Sequence, residues 1–456
     1  MYFFRLFYTS SHQVHNQIIY VLFFDKHSTD SAQYRYNLEE RLQQPSECFK
    51  AQLTMPSSRD TRNVLVLAIC QGLFNSGRGL TFLAATLTGV NMLGDDIRYA
   101  TVPITMMLVG TAAGTIPSAH LMRWRGRKAG FVIASLIGTV GAILSMYALL
   151  ENSFIGFNFG IFLFGLYGAA AQQDRFAVAD AAPDDFKAKA ISLVLAAGVL
   201  GAFIGPETVE QTKDAMGSVE FAGTFVALAL FTLATGIIVL GIDIPRLTKK
   251  EYTDKGRPLG EVILQPVAIV AVISATLGYV VMNLLMTATP IAMKVGLAYD
   301  FEWIKIVIIW HTVGMFAPGF VTGFLIDRFG VLNIITTGAI LQATAVAIAL
   351  IGSSVPYFWF SLFLLGIGWN FAFTGGTKLL TEVHTPSERA KVQGMNDFIV
   401  FTGMAIASLC AGTLLHFLGW QWVNIAALPM IVIILIAVTW LKILQRQLIT
   451  DRRLEP

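Results

Sequence analysis

Residues 154–177, FIGFNFGIFLFGLYGAAAQQDRFA, and residues 221–240, FAGTFVALALFTLATGIIVL, are two of about twelve long apolar runs in this 456-residue chain. A bilayer core about 30 Å thick takes about 20 predominantly apolar residues per helix, because backbone groups cannot be left unpaired in hydrocarbon. Lipid is therefore the solvent against which every other feature is read. Hydrophobic residues make up 55% of the sequence and charged ones 13%, about half the roughly 25% of a soluble domain. A water-facing surface could not be covered, which excludes a soluble enzyme.

The apolar runs predict helices over 64–88, 98–121, 129–150, 154–177, 189–208, 221–242, 263–290, 304–326, 332–353, 356–380, 393–415 and 420–443. No charge occurs between Phe329 and Thr377, yet Ser353, Ser354 and Pro356 divide that stretch into two spans. The fold class is thus an all-α membrane protein with twelve transmembrane helices. Basic residues keep short loops on the cytoplasmic side. Arg123, Arg125, Arg127 and Lys128 follow the second helix, and Arg246, Lys249, Lys250, Lys255 and Arg257 follow the sixth. The opposite loops are acidic or neutral, with Glu207, Glu210, Asp214 and Glu220 against Lys213. Both termini are then expected in the cytoplasm, in a bacterial inner membrane, with a net charge of +3 that reflects this rim and marks no nucleic-acid site. Cys48, Cys70 and Cys410 are too few and too scattered for a disulfide framework or a metal cluster.

The polar segment 243–262 separates six helices (61–242) from six (263–444), with a cytoplasmic tail at 445–456. Residues 1–60 stand outside this plan. Their apolar patch, 17–24, is too short to span and lacks the flanks of a signal peptide. Translation is expected to begin at Met55, the upstream stretch being a disordered tail or an artefact of the assigned start. A weak repeat supports two halves: Arg125-Gly126-Arg127-Lys128 follows the second helix, and Gly323-Phe324-Leu325-Ile326-Asp327-Arg328-Phe329-Gly330 closes the eighth. Parallel six-helix repeats with a site between them are a common transporter plan.

The string G-F-L-I-D-R-F-G at 323–330 resembles the loop signature of the major facilitator superfamily, and GVLGAFIGP at 198–206 resembles its Gly-Pro motif on helix 5. The resemblance covers about residues 60–445 and implies two pseudo-symmetric six-helix bundles working by alternating access. Two further strings, AAAQQDRFAVADAAPDDFKAKAIS at 169–192 and GIGWNFAFTGGTKLLTEVHTPSERAKVQGMNDF at 366–398, resemble a bacterial subgroup that includes riboflavin importers. The first-half loop departs from the signature, since Arg123 stands where the acidic residue belongs. Helix 4 lacks the mid-membrane Arg of many proton-coupled drug antiporters.

Arg78 is the costliest residue within a span, at roughly 2.5–3.5 kcal/mol near a helix centre. Gln71, Asn75 and Arg78 recur at spacings of four and three and so share one face. That face either lines a cavity or lets Arg78 snorkel to the headgroups while the amides bond neighbouring helices. In the second half, Asn283 with Thr287, His311 beside Trp310, and Trp369 with Asn370 supply the polar and aromatic features. Helices 1, 4, 7 and 10 line the path in the family resembled, which favours Asn75, Arg78, Asn283, Trp369 and Asn370 as substrate contacts; Gln71, on the face of Asn75, and His311, on the eighth helix, complete the candidate set. An indole face can stack a planar ligand while amides read its edge. Packing and interhelical bonding are the equal alternative for each residue taken alone. His311 changes charge near physiological pH and is a candidate for proton coupling; Asp174 and Asp397, near cytoplasmic helix ends, read more simply as gate partners. Arg127, Lys128, Arg175, Asp327, Arg328 and Asp397, with Glu388 and Arg389, place opposite charges where helices part, and the resemblance assigns the gate role to Asp327. Solvated pairs of this kind are worth about 0–1 kcal/mol each.

The sequence therefore points to a monomeric secondary transporter for a small polar organic solute, coupled to protons or another ion, with no cofactor. No Gly-rich phosphate loop supports ATP drive. Efflux of drugs or metabolites is the alternative within the class. A receptor or assembly subunit on the same scaffold is the alternative outside it, and an intramembrane enzyme is weaker still, since no H-E-x-x-H or paired aspartates occur within the spans.

Overall fold

The computed structural model describes residues 58–94, 96–174, 177, 187–217, 219–243, 256–385 and 387–454. The expected N-terminal extension up to residue 57 and the middle of the linker lie outside them. The described chain is a succession of helices: α1 (Ser58–Leu93), α2 (Val102–Arg125), α3 (Arg127–Leu150), α4 (Phe154–Ala171), α5 (Lys187–Thr212) and α6 (Ala222–Ile238) make six spans. A short α7 (Leu259–Ile263) precedes α8 (Pro266–Ile291), α9 (Phe301–Phe316), α10 (Gly319–Phe329), α11 (Val331–Ile351), α12 (Val355–Thr381), α13 (Arg389–Ile425) and α14 (Leu428–Leu454).

Twelve spans follow from these once three features are read physically. By length and apolar composition, 8 described helices qualify, or 9 when α9 and α10 count as one bent span. The longest of them, Lys391–Gln447, holds two spans, because Gly419 inside α13 takes φ 80°, ψ 178° and breaks the helix. α1 and α5 complete the set; each dilutes its apolar face with charges, Arg78 in one and Glu207 with Glu210 in the other.

Two boundaries differ from expectation. The fourth helix, expected to reach residue 177, closes at Ala171 with Gln172 as its cap, because Gln172, Gln173 and Asp174 end the apolar run. The eighth span is not one helix over 304–326. Pro318 has no amide hydrogen to donate and clashes with the turn before it, so α9 and α10 meet at 42°. The expected break at Ser353 and Ser354 stands, with Ser354 capping α12 and Pro356 in its first turn.

Close approach of helices rests on small residues. A Cβ on Gly201 of α5 would lie 2.7 Å from Asn75 Cβ and 2.9 Å from Ser76 N of α1, and one on Gly205 would meet the Ser76 carbonyl at 2.5 Å. Gly319 and Gly323 share the same four-residue spacing as Gly201 and Gly205 but make no such seam: Gly323 has nothing within 4 Å of its would-be Cβ. Gly201→Val is expected to lose about 1–3 kcal/mol through overpacking and to cut the yield of monodisperse detergent-solubilised protein. Gly323→Ala should leave that yield unchanged.

The first half is closed on itself at one end. Asn63 Nδ2 donates to the Asp243 carbonyl at 2.9 Å, the Asp243 amide returns a bond to Asn63 Oδ1 at 2.9 Å, and Arg59 pairs with the Asp243 carboxylate at 2.9 Å. This ties the start of α1 to the end of α6, where the linker begins. The linker's far end is held by the second half. Glu388, 1% exposed, accepts from the Arg257 amide at 2.7 Å, from Arg257 Nε and Nη2 at 2.8 Å each, and from the Thr385 amide at 3.0 Å.

Those donors, the Arg257 side chain first and the Thr385 amide second, hold the Glu388 carboxyl below the usual carboxylate range. A lowered carboxyl stabilises the fold fully above its unfolded pKa, and that contribution fades as pH falls through the lower folded value. The anchor should therefore persist at mildly acidic pH. Glu388→Gln is expected to speed trypsin cleavage after Lys255 several-fold at neutral pH, whereas the unaltered protein should show no such increase at pH 5 once the protease's own pH dependence is corrected.

Candidate functional site

Arg78 lies on α1 just past its middle, half-buried, one turn outside Phe74. Its Nη2 donates to the Tyr279 phenol oxygen at 3.1 Å, and its guanidinium sits 5.6 Å from the Phe82 ring centroid. Tyr279 belongs to α8, so this hydrogen bond crosses from one half of the chain to the other. A membrane-embedded guanidinium carries five donors and needs acceptors or water to offset its desolvation. Among the described residues no carboxylate pairs with it.

Around Tyr279 stands a group of rings from the second half. Trp369 approaches edge-on at 4.8 Å and Phe373 at 5.1 Å, while Phe401 lies tilted at 6.5 Å. Trp369 and Phe373 are four residues apart on α12, so they lie on one face and stack at 5.3 Å with 9° between planes. The Trp369 indole N–H is buried with no hydrogen-bond partner. Phe316 of α9 extends the group at 6.2 Å from Trp369. The site of a Cβ on Gly198 lies 3.2 Å from Asn75 Nδ2 and 3.4 Å from the Phe316 ring, which brings Asn75 to the margin of the same cluster.

A cavity of about 10 Å³ opens beside Arg78, lined by Phe74, Thr111, Phe164, Gln172 and Phe401 among others. That is room for about one ordered water. Organic ligands occupy roughly 300–1,000 Å³, so binding requires the halves to part or the rings to move.

The expected contacts thus divide. Arg78, Asn75 and Trp369 are brought to one region, and Gln71 is half-buried one turn below Asn75 on α1. Asn283, His311 and Asn370 serve as ties between helices. Asn283 is fully buried and donates to the Met404 carbonyl of α13 at 2.9 Å. His311, also fully buried, bonds through Nδ1 with the Leu362 carbonyl of α12 at 2.7 Å. Asn370 donates to the Met315 carbonyl at 2.7 Å and accepts from the Thr322 hydroxyl at 2.7 Å, spanning the α9–α10 break. Tyr279, Phe373 and Phe401 were not legible as site residues, because aromatic side chains are ordinary in any apolar span.

At the linker end, Arg175 lies outside the described residues. Asp327 and Arg328 are exposed at the end of α10, Lys128 is exposed, and Arg127 and Asp397 are half-buried. Asp174 is 3% exposed just beyond α4. Burial pushes its carboxyl well above the usual range, and the charge of Arg127 partly offsets that rise. No group of three or more metal-binding side chains occurs among the described residues.

The family model for the Major Facilitator Superfamily matches residues 271–454. The sequence is 38% identical over 377 residues to the riboflavin transporter RfnT of Brucella anthropi, covering 82% of this chain and 94% of that protein. It is 27% identical over 399 residues to the uncharacterized MFS-type transporter YddS of Bacillus subtilis, covering 84% and 91%. Among solved structures, a D-xylose-proton symporter superposes with a TM-score of 0.64 at 15% identity over 83% of this chain and 97% of that one.

Proposed function

The chain belongs to the major facilitator superfamily, and from that premise we propose that it imports a flat, polar, riboflavin-like solute through a site between two six-helix bundles, 61–242 and 263–444, joined by a linker at 243–262. Its matched family and relatives are transporters and not enzymes. The observation that carries the proposal is the 3.1 Å bond from Arg78 to Tyr279, which links the two halves in mid-span beside a platform of stacked rings.

Riboflavin presents a flat ring system with carbonyl oxygens on one edge and a hydroxylated tail. Trp369 and Phe373 offer a face for the ring, and the unpartnered indole N–H and the guanidinium offer donors to its acceptors. Asn75 stands where it can bond the tail. Entry of such a ligand takes the Tyr279 phenol's place on Arg78, so occupancy of the site loosens a contact between the bundles. A ligand shifts a two-state equilibrium only through such differential contacts. The cytoplasmic gate is assigned to Asp327, Arg328, Arg127, Lys128, Arg175 and Asp397, with both termini in the cytoplasm, and a proton gradient supplies the drive. The protein works as a monomer.

Labelled riboflavin, offered to cells that lack their own flavin uptake, should accumulate when the gene is supplied and cease to accumulate on addition of an uncoupler. Absence of both accumulation and competition by riboflavin would remove flavins as substrates. Accumulation that ignores the uncoupler would remove the ion drive.

A further inference from the structure

The ion cluster at the end of the molecule opposite the linker is unused by the substrate site. Lys305 stands on the second turn of α9, in the second half, and is only 8% exposed. Its ammonium lies 3.3 Å from Glu207 and also meets Glu210, both on the last turns of α5 in the first half, and it lies 3.3 Å from Glu302 on its own helix. Lys213 sits 4.5 Å from the Phe301 ring centroid, a second crossing at the same end. Beside them α13 packs on the entry to α2, where a Cβ on Gly412 would lie 2.7 Å from Thr101 Oγ1 and 3.0 Å from the Arg98 carbonyl.

The Lys305 side chain is 10% exposed whereas Glu207 and Glu302 are 50% and 54% exposed, so water screens the pairs in part, and parting the helices takes two of its three carboxylate partners from a mostly covered ammonium. α5 and α9 cannot separate at this end without uncoupling Lys305 from Glu207 and Glu210. Among the described residues at the linker end, Arg59–Asp243 and Arg257–Glu388 tie the two ends of the linker to one half each, and Asp327 and Arg328 are exposed. Both helices that carry the cluster also contain or end at a proline, beside the cluster in α5 and about 20 Å along the helix from Lys305 in α9. Pro206 immediately precedes Glu207 inside α5, and the 42° break at Pro318 ends the arm that carries Lys305.

We infer that Lys305, with Glu207 and Glu210, is the latch that holds the face opposite the linker closed. The inference rests on the alternating-access reading above, and its test reads opening of that face without using transport. Met286 lies seven residues beyond Tyr279 on α8, about 10 Å nearer that end at 1.5 Å per residue, and is 6% exposed. Seven residues return a helix to nearly the same face, so Met286 lies beneath the closure. A Met286→Cys reporter, with Cys48 and Cys410 replaced by serine, is labelled with a membrane-impermeant maleimide in intact cells and in inverted vesicles, against a control without the reporter.

Lys305→Met is expected to raise labelling in intact cells roughly tenfold. The milder pair Glu207→Gln with Glu210→Gln should raise it in the same direction, and the swap Lys305→Glu with Glu210→Lys should return it toward the starting rate. The same pattern in inverted vesicles instead of cells supports the latch and reverses the orientation assigned above. Labelling unchanged by both the lysine and the glutamine variants, or raised further by the swap, overturns the latch even where uptake is altered. Failure of riboflavin to accumulate with the labelling pattern intact would sink the substrate reading alone.

Discussion

Arg78→Ala is expected to reduce riboflavin uptake about 100-fold in kcat/KM while the protein still reaches the membrane at an undiminished level. The two halves of that expectation come from opposite sides of one balance. Inserting a guanidinium near the centre of α1 costs roughly 2.5–3.5 kcal/mol, so removing it relieves insertion. Its one protein hydrogen bond among those described is to the Tyr279 phenol, a neutral acceptor that α8 holds in place without help through its many buried contacts. Fold stability therefore loses little. What is lost is a fork of donors for the solute. Charge-assisted bonds contribute about 1.5–3 kcal/mol each, and one to two of them correspond to the stated fall. Arg78→Lys should recover part of the rate, since it restores charge but not the bidentate geometry. The measurement is initial uptake in cells, normalised to surface protein. Wild-type uptake by the alanine variant would mean that Arg78 serves only as a contact between the bundles.

The architecture was legible because hydropathy is a property of composition, and lipid leaves a chain few alternatives to helices. Arg78 was legible for a related reason: its cost within α1 is visible without any partner. The use of Asn283, His311 and Asn370 was not. Each is a polar group in an apolar span, and the same side chain can read a solute or bond a neighbouring helix. Only the position of the Met404, Leu362 and Met315 carbonyls decides, and those lie 121, 51 and 55 residues away along the chain. Lys305 was hidden differently. Glu207 and Glu210 were read as charges of an acidic loop, whereas α5 carries them to Thr212 as helix and so aims them across the seam at α9. The break in the eighth span had a signal, Pro318, that hydropathy alone outweighed.

Trp369→Ala is the second large expected effect, and it separates a stacking platform from a packing residue. Stacking of a flat ring on an aromatic side chain is worth about 1–3 kcal/mol, so the loss should be roughly 10- to 100-fold and should appear in KM rather than in the maximal rate. A residue that served packing alone would behave otherwise. Truncating a buried Trp costs about 3–5 kcal/mol of stability, and the variant would then lose protein and maximal rate together. Trp369→Phe sharpens the distinction, because it keeps a smaller ring stacked on Phe373 and removes the buried indole N–H that has no partner in the protein. With phenylalanine in place, uptake of riboflavin should weaken while competition by a flat aromatic analogue lacking ring-edge acceptors should not. Equal weakening of both would show that the N–H reads no solute. An unchanged KM in the alanine variant, measured on protein of normal thermal stability, would move the site away from α12 altogether and leave Arg78 and Tyr279 as a contact between bundles without a ligand.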